Sequence, residues 1–145
     1  MLVIRPITQD ELPALSQLYT ELMGSQTNMV KLEQVYRKIQ HDDQYIILGA
    51  FHEGQLAGTL MGIICHDLVG ECKPFMVIEN VIVSPTVRRQ GVGKKLMQDI
   101  ENIARQRDCA YIIFVSGEQR KEAHVFYEKL GFKDEKVEGY RKYLA

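Results

Sequence analysis

Two periodicities divide the chain. After a short β-branched run, "LVIRPI", stopped by Pro6, the next segment places Leu12, Leu15, Leu18 or Tyr19, and Leu22 at helical spacing. A first strand followed by a helix is predicted. Thr8 and Glu11 stand at capping-box spacing; with Asp10 as the cap instead, Pro13 falls in the first turn, where its missing N–H does no harm. Gly24 marks the end of this helix. A weaker helical pattern joins Met29, Leu32, Val35, Tyr36 and Ile39, then breaks at the polar "QHDDQ".

From Tyr45 the period shortens. "YIILGAF", "LAGTLMGIIC" and "FMVIENVIV" are apolar or alternating runs that predict three successive antiparallel strands, with "HEGQ" as a hairpin turn and Pro85 as the end of the third. "GVGKKLMQDIENIARQR" returns to helical spacing, with Val92, Leu96, Ile100, Ile103 and Ala104 on one face and Lys94, Lys95, Asp99, Asn102 and Arg105 on others. "AYIIFV", residues 110–115, follows a helix and is continuously apolar, as a buried parallel strand is. "KEAHVFYEKLGF" sets Ala123, Phe126, Tyr127 and Leu130 on one stripe and stops at Gly131, a C′ glycine. A last strand is expected within residues 132–144. The absence of repeats and linkers predicts one domain over residues 1–145.

Lys and Arg number 18 against 19 Asp and Glu, a net charge of -1, which argues against a dedicated nucleic-acid or membrane-surface binder. Any cationic site must be local. Cys65, Cys72 and Cys109 are odd in number and lack CxxC spacing, so they read as reduced thiols. "MLVIRPITQDEL" reaches acidic residues too soon for a signal peptide, and no apolar run approaches the roughly 18 residues of a membrane span. A cytoplasmic protein is expected. His41, His52 and His66 have no ligand spacing, and no metal is assigned.

The chemistry concentrates in "VRRQGVGKKL", residues 87–96. A strand, this loop and a long helix in that order offer the N–H groups of a helix N-terminus to an anion. Arg88 and Arg89 add bidentate donors for phosphate, and Gly91 and Gly93 keep side chains out of its approach. A P-loop requires glycine where Arg88 stands and Ser or Thr where Lys95 stands; a dinucleotide fingerprint requires Gly or Ala where Leu96 stands. Both fail.

What remains is R-x-x-G-x-G, here Arg88, Gly91 and Gly93, following "VIVSP". In this the sequence resembles the GNAT superfamily of acetyl-CoA-dependent N-acetyltransferases, whose pyrophosphate loop has this form. "AHVFYEKLGF" resembles that family's closing helix-and-strand motif, and the resemblance spans almost the whole chain. It implies an α/β (α+β) GNAT fold, a mixed, mostly antiparallel central sheet of about six to seven strands flanked by helices. It also implies acetyl-CoA as co-substrate, held by Val81, Ile82 and Val83, by Arg88, Arg89, Gln90, Gly91, Val92, Gly93 and Lys94, and by Arg120 and Tyr127.

Acetyl transfer to an amine asks for a base, since an alkyl ammonium has a pKa near ~10, and benefits from an acid for a thiolate whose conjugate pKa is about 8.5. The resemblance places Tyr127 as the acid, facing the coenzyme sulfur, and Glu79 as the base, beside the acceptor amine. A backbone N–H of residues 81–83 is expected to stabilise the oxyanion. Under regular alternation Glu79 shares a face with Val81 and Val83, a rule that a bulge would break. The chain departs from the family at Arg120, where many members carry asparagine seven residues before the tyrosine. "SGEQRKEAHVFY" is similar to members that acetylate small amines, such as aminoalkylphosphonate acetyltransferases. The acceptor is expected at "GSQTN" and "HDLVGECK", where Asp67 and Glu71 offer negative charge to a cation. His124, among polar neighbours, reads as a surface or packing residue. The partners expected are a small-molecule amine and a second copy of the chain, with no nucleic acid and no membrane. The alternative reading is a non-catalytic acyl-CoA-binding or regulatory domain of the same family, which would not need Tyr127 and Glu79.

Overall fold

A computed structural model describes residues 1–87, 90–115 and 121–145, with the side chains of residues 121–123 outside that description. It divides into two units, Met1–Ile113 and Phe114–Ala145. The first runs β1 (Leu2–Pro6), α1 (Leu12–Met23), α2 (Met29–Ile39), β2 (Tyr45–His52), β3 (Gln55–Cys65), β4 (Phe75–Val83), α3 (Val92–Gln106) and β5 (Ile112–Ile113), with 3₁₀ turns at Gln9–Glu11 and Pro85–Val87. The strands lie in the order β1-β2-β3-β4-β5, antiparallel except for the parallel pair β4 and β5. No described helix is long and apolar enough to cross a membrane.

Glu53 and Gly54 both take positive φ, 51° and 79°, so the "HEGQ" turn between β2 and β3 has the mirror-image form whose twist suits a hairpin. At the chain start, the Thr8 N–H donates to the Glu11 carboxylate at 2.8 Å, and Arg5 pairs with the same carboxylate while lying over the Phe51 ring. This contact holds the Glu11 carboxyl down at about 2, chiefly through the Arg5 hydrogen bond.

Each sheet face has its own helices. On one, Ile7, Leu12, Leu15 and Phe51 form a buried cluster joined by Met29, Leu32 and Ile47, so α1 and α2 pack there. The other face belongs to α3, which buries Val92, Leu96, Met97, Ile100 and Ala104; Ile103, expected on that stripe, is only half-buried. β3 makes room for it with glycines: a Cβ at Gly58 would meet Val92 and Leu96 side chains at 3.1 and 3.2 Å, and one at Gly62 would meet Ile100 at 2.8 Å. Truncating a side chain as enclosed as Leu96 costs about 2–5 kcal/mol. The helix start is therefore anchored by core packing a turn or two away.

The second unit holds α4 (Lys121–Lys129) and the segment after it. The helix closes as a Schellman motif, with Phe132 N–H donating to the Tyr127 carbonyl and Gly131 N–H to that of Glu128, both at 3.0 Å. Of the predicted stripe, Phe126, Tyr127 and Leu130 are half-buried, and the side chain of Ala123 lies outside the described residues.

Two strand expectations are corrected. The described sheet has five strands, not six to seven, because residues 132–144 form none: their apolar side chains beyond Phe132, namely Val137, Tyr140, Tyr143 and Leu144, are all exposed, so no buried face holds them in a ladder. β5 covers only Ile112 and Ile113 of residues 110–115, pairing with Met76 and Val77.

Candidate active site

β4 carries a defect in its middle. Thr59 of β3 pairs with Ile82 and Met61 pairs with Glu79, so Asn80 and Val81 together oppose Leu60, the two-against-one arrangement of a β-bulge. Asn80 has φ 57°. Directly paired residues lie on the same face, and the bulge therefore separates Glu79 from Val83. Glu79 is exposed opposite Met61, whose other partner Ile47 packs with α1 and α2; Val83 pairs with Gly58, against α3. The alternation that would have put both on one face is broken here. β5 accompanies β4 no further than Val77, so from Ile78 to Ile82 no described strand lies on that side.

Beyond β4, the Pro85–Val87 turn is pinned by the buried Val87, and Gln90 N–H returns to the Val87 carbonyl at 3.3 Å. Gly91 then begins α3 with φ 80°, a left-handed conformation that glycine takes without strain, and with open space where a Cβ would stand. The first intrahelical bond runs from Lys95 N–H to the Gly91 carbonyl at 3.0 Å, and no side chain caps the helix. The N–H groups of Val92, Gly93 and Lys94 therefore have no intrahelical acceptor and sit at the positive end of the helix dipole. Gln90 and Lys94 are exposed; Lys95 is tied to Asp99 at 3.1 Å. This is a cradle for an anion of several oxygens, and the pyrophosphate of a coenzyme fits its donors.

In the second unit, Tyr127 is half-buried in an aromatic cluster, its ring 4.3 Å from that of Phe114, 5.4 Å from Phe126 and 6.4 Å from Phe132. Ring packing and the Schellman bond on its carbonyl fix both side chain and main chain. The structure brings Glu79, Val81, Ile82, Val83, Gln90, Gly91, Val92, Gly93 and Lys94 into one strand-turn-helix segment. Arg88, Arg89 and Arg120 lie outside the described residues. Asn80 was missed, although asparagine inside an otherwise β-branched run, a residue poor in strands and tolerant of left-handed backbone, was a readable sign. Among the described residues no group of three or more His, Cys, Asp and Glu side chains is arranged to hold a metal.

A family model described as the acetyltransferase (GNAT) family matches residues 12–132. The uncharacterized N-acetyltransferase YhdJ of Bacillus subtilis (strain 168) is 30% identical over 121 residues, which are 83% of this chain and 80% of that protein. Glucosamine 6-phosphate N-acetyltransferase of Trypanosoma brucei brucei is 43% identical over 56 residues, 39% of this chain and 36% of that protein, so the match spans about a third of that relative. The solved aminoglycoside N-acetyltransferase AAC(6')-Iy in complex with CoA superposes with a TM-score of 0.81 at 23% identity, over 98% of this chain and 95% of that one. Matched over most of its length, the chain belongs to the acetyltransferase (GNAT) family, and it is an acyltransferase whose co-substrate is acetyl-CoA.

Proposed function

We propose that residues 1–145 form one N-acetyltransferase domain that moves an acetyl group directly from acetyl-CoA to the primary amine of a small molecule in a ternary complex. The observation that carries this reading is the uncapped start of α3 at Gly91, directly downstream of a strand whose bulge exposes a carboxylate. The names of relatives support a compact acceptor, since those proteins are described as acting on glucosamine 6-phosphate and on aminoglycosides.

When bound, acetyl-CoA supplies an activated thioester. The N–H groups of Val92, Gly93 and Lys94, with Gln90, Arg88 and Arg89, bind the pyrophosphate, and Arg120 adds a further cation toward the coenzyme. Glu79 takes the proton of the acceptor ammonium, directly or through one water, on the face it shares with Met61. Main-chain N–H groups of residues 81–83 donate to the carbonyl oxygen as negative charge grows there. Tyr127 Oη gives its proton to the departing sulfur, a transfer open to a phenol below its ordinary pKa of about 10.

The test is thiol release with acetyl-CoA and a panel of glucosamine 6-phosphate, kanamycin, spermidine and 2-aminoethylphosphonate, repeated on Tyr127→Phe. Turnover with at least one amine is expected, falling about 10²-fold or more in the variant with little change in coenzyme affinity. Turnover within twofold of wild type would remove Tyr127 as the acid. Tight coenzyme binding with no turnover on any amine would favour a binding domain instead.

A further inference from the structure

Glu79 is the only acidic residue of the five described strands. Ile47, Met61 and Glu79 form one row across β2, β3 and β4, and Ile63, Val77 and Ile113 lie together in the next. Paired side chains share a face, so the carboxylate has Met61 directly across from it and Val77 two residues before it on the same strand. The two faces differ in cover. On the α3 side Leu60, Ile64, Met76 and Ile78 are at most 3% exposed, whereas Ile47, Met61, Ile63 and Val77 are only half-buried. The ground around Glu79 is therefore apolar and within reach of solvent.

The elements packed on this face bring it no second carboxylate. α1 and α2 meet it with Leu12, Leu15, Met29 and Leu32, while their acidic residues, Glu21 and Glu33, are exposed and Glu11 is paired with Arg5. Asp67 and Glu71 follow β3, whose last residue, Cys65, pairs with Phe75. Phe75 stands four residues before Glu79, about 13 Å along the strand. The Asp67 carboxylate is also engaged, accepting the N–H groups of Leu68 and Val69 at 2.7 and 3.2 Å.

We propose that the acceptor is a monoamine with an apolar body, an alkylamine or arylalkylamine, whose one ammonium meets Glu79 while its carbon chain lies over Met61, Ile63 and Val77. One carboxylate matches one ammonium. A polycation would leave its remaining charges over methionine and valine, and a phosphorylated amine would bring its anion toward Glu79; both are unfavourable. Apolar carbon laid on these side chains is withdrawn from water, which favours a longer body. A C–N bond forms as the thioester C–S bond breaks. Of the three ammonium protons one stays on the amide, one passes to Glu79, and one balances the proton that sulfur receives.

The inference rests on the N-acetyltransferase reading above, and the experiment separates the two. Thiol release with saturating acetyl-CoA is measured for ethylamine, hexylamine, 2-phenylethylamine, spermidine, kanamycin and glucosamine 6-phosphate, and hexylamine is repeated on Met61→Gln and Met61→Leu. Hexylamine and 2-phenylethylamine should exceed each of the others at least tenfold in kcat/KM. Met61→Gln should raise the KM for hexylamine at least fivefold with kcat within threefold, and Met61→Leu should stay within twofold of wild type in both. Spermidine, kanamycin or glucosamine 6-phosphate matching the two apolar amines would overturn the proposal and leave the N-acetyltransferase reading standing, as would an unchanged KM in a folded Met61→Gln. Tight coenzyme binding with no turnover of any amine would overturn both. If Met61→Gln does not fold, the wild-type series decides: a tenfold rise in kcat/KM from ethylamine to hexylamine supports the proposal, and equality overturns it.

Discussion

Helices α2 and α3 begin in opposite ways. Above α2, the Asn28 side chain accepts the Lys31 N–H at 3.1 Å, satisfying one of the donors that every helix start leaves open. At α3 the corresponding place is Gly91, with no side chain to accept and with Lys94 and Lys95 in the first turn, where the dipole favours anions rather than cations. α2 completes itself from its own sequence. With glycine at its N-cap, α3 forgoes only a few tenths of a kcal/mol relative to a side-chain cap, and its open donors are left to an anionic ligand. Core packing makes this tolerable, because Val92, Leu96 and Ile100 hold α3 on the sheet whether or not its first turn is satisfied.

The sharpest way to break this contrast is Gly91→Val. A β-branched side chain resists φ 80° and enters the space through which a pyrophosphate would approach, so the KM for acetyl-CoA should rise at least tenfold. An unchanged KM in a folded variant would make Gly91 an ordinary helix start. Asn28→Ala supplies the opposite arm: it should lower stability by about 1 kcal/mol and leave coenzyme affinity unaltered, read by thermal unfolding and by titration. A loss of coenzyme affinity there would show that the two helix starts are not functionally distinct.

The start of α1 sharpens the comparison with the smallest effect. Glu11 closes the 3₁₀ turn before α1, and its carboxyl is held at about 2, below its usual 4.5, first by the hydrogen bond from Arg5. A depressed carboxyl contributes stability that is fully present above pH 4.5 and is lost as pH falls toward 2. Thermal unfolding should therefore show Glu11→Gln less stable than wild type at neutral pH, with the gap narrowing over that acid window. A gap that does not change with pH would mean the ion pair contributes nothing.

Much of this organisation was legible in the chain. The run "FMVIENVIV" matches β4 residue for residue because Pro74 and Pro85 bracket it, and Gly24 and Gly131 stand where α1 and the Schellman turn end. The donors at Gly91 were legible for the same reason, since Gly and Pro constrain the backbone locally. The bulge was not, because apolar alternation records which residues are buried and says little about one inserted residue whose only trace is Asn80. The missing last strand failed for a different reason: Tyr140 and Tyr143 have strand propensity, but propensity forms no strand without a neighbour and a buried face. For Arg88, Arg89 and Arg120 the sequence remains the source of their assignment.

The central claim is that the segment from the β4 bulge to the start of α3 holds coenzyme A. Thermal unfolding of the wild-type chain with increasing coenzyme A tests it most directly. A ligand that binds only the native state at 100 times its Kd adds about 2.7 kcal/mol, which for a domain of this size raises Tm by roughly 5 °C or more. A concentration-dependent rise of that order, lost in Gly91→Val, is the predicted result, and an unmoved Tm at millimolar coenzyme A would contradict the account.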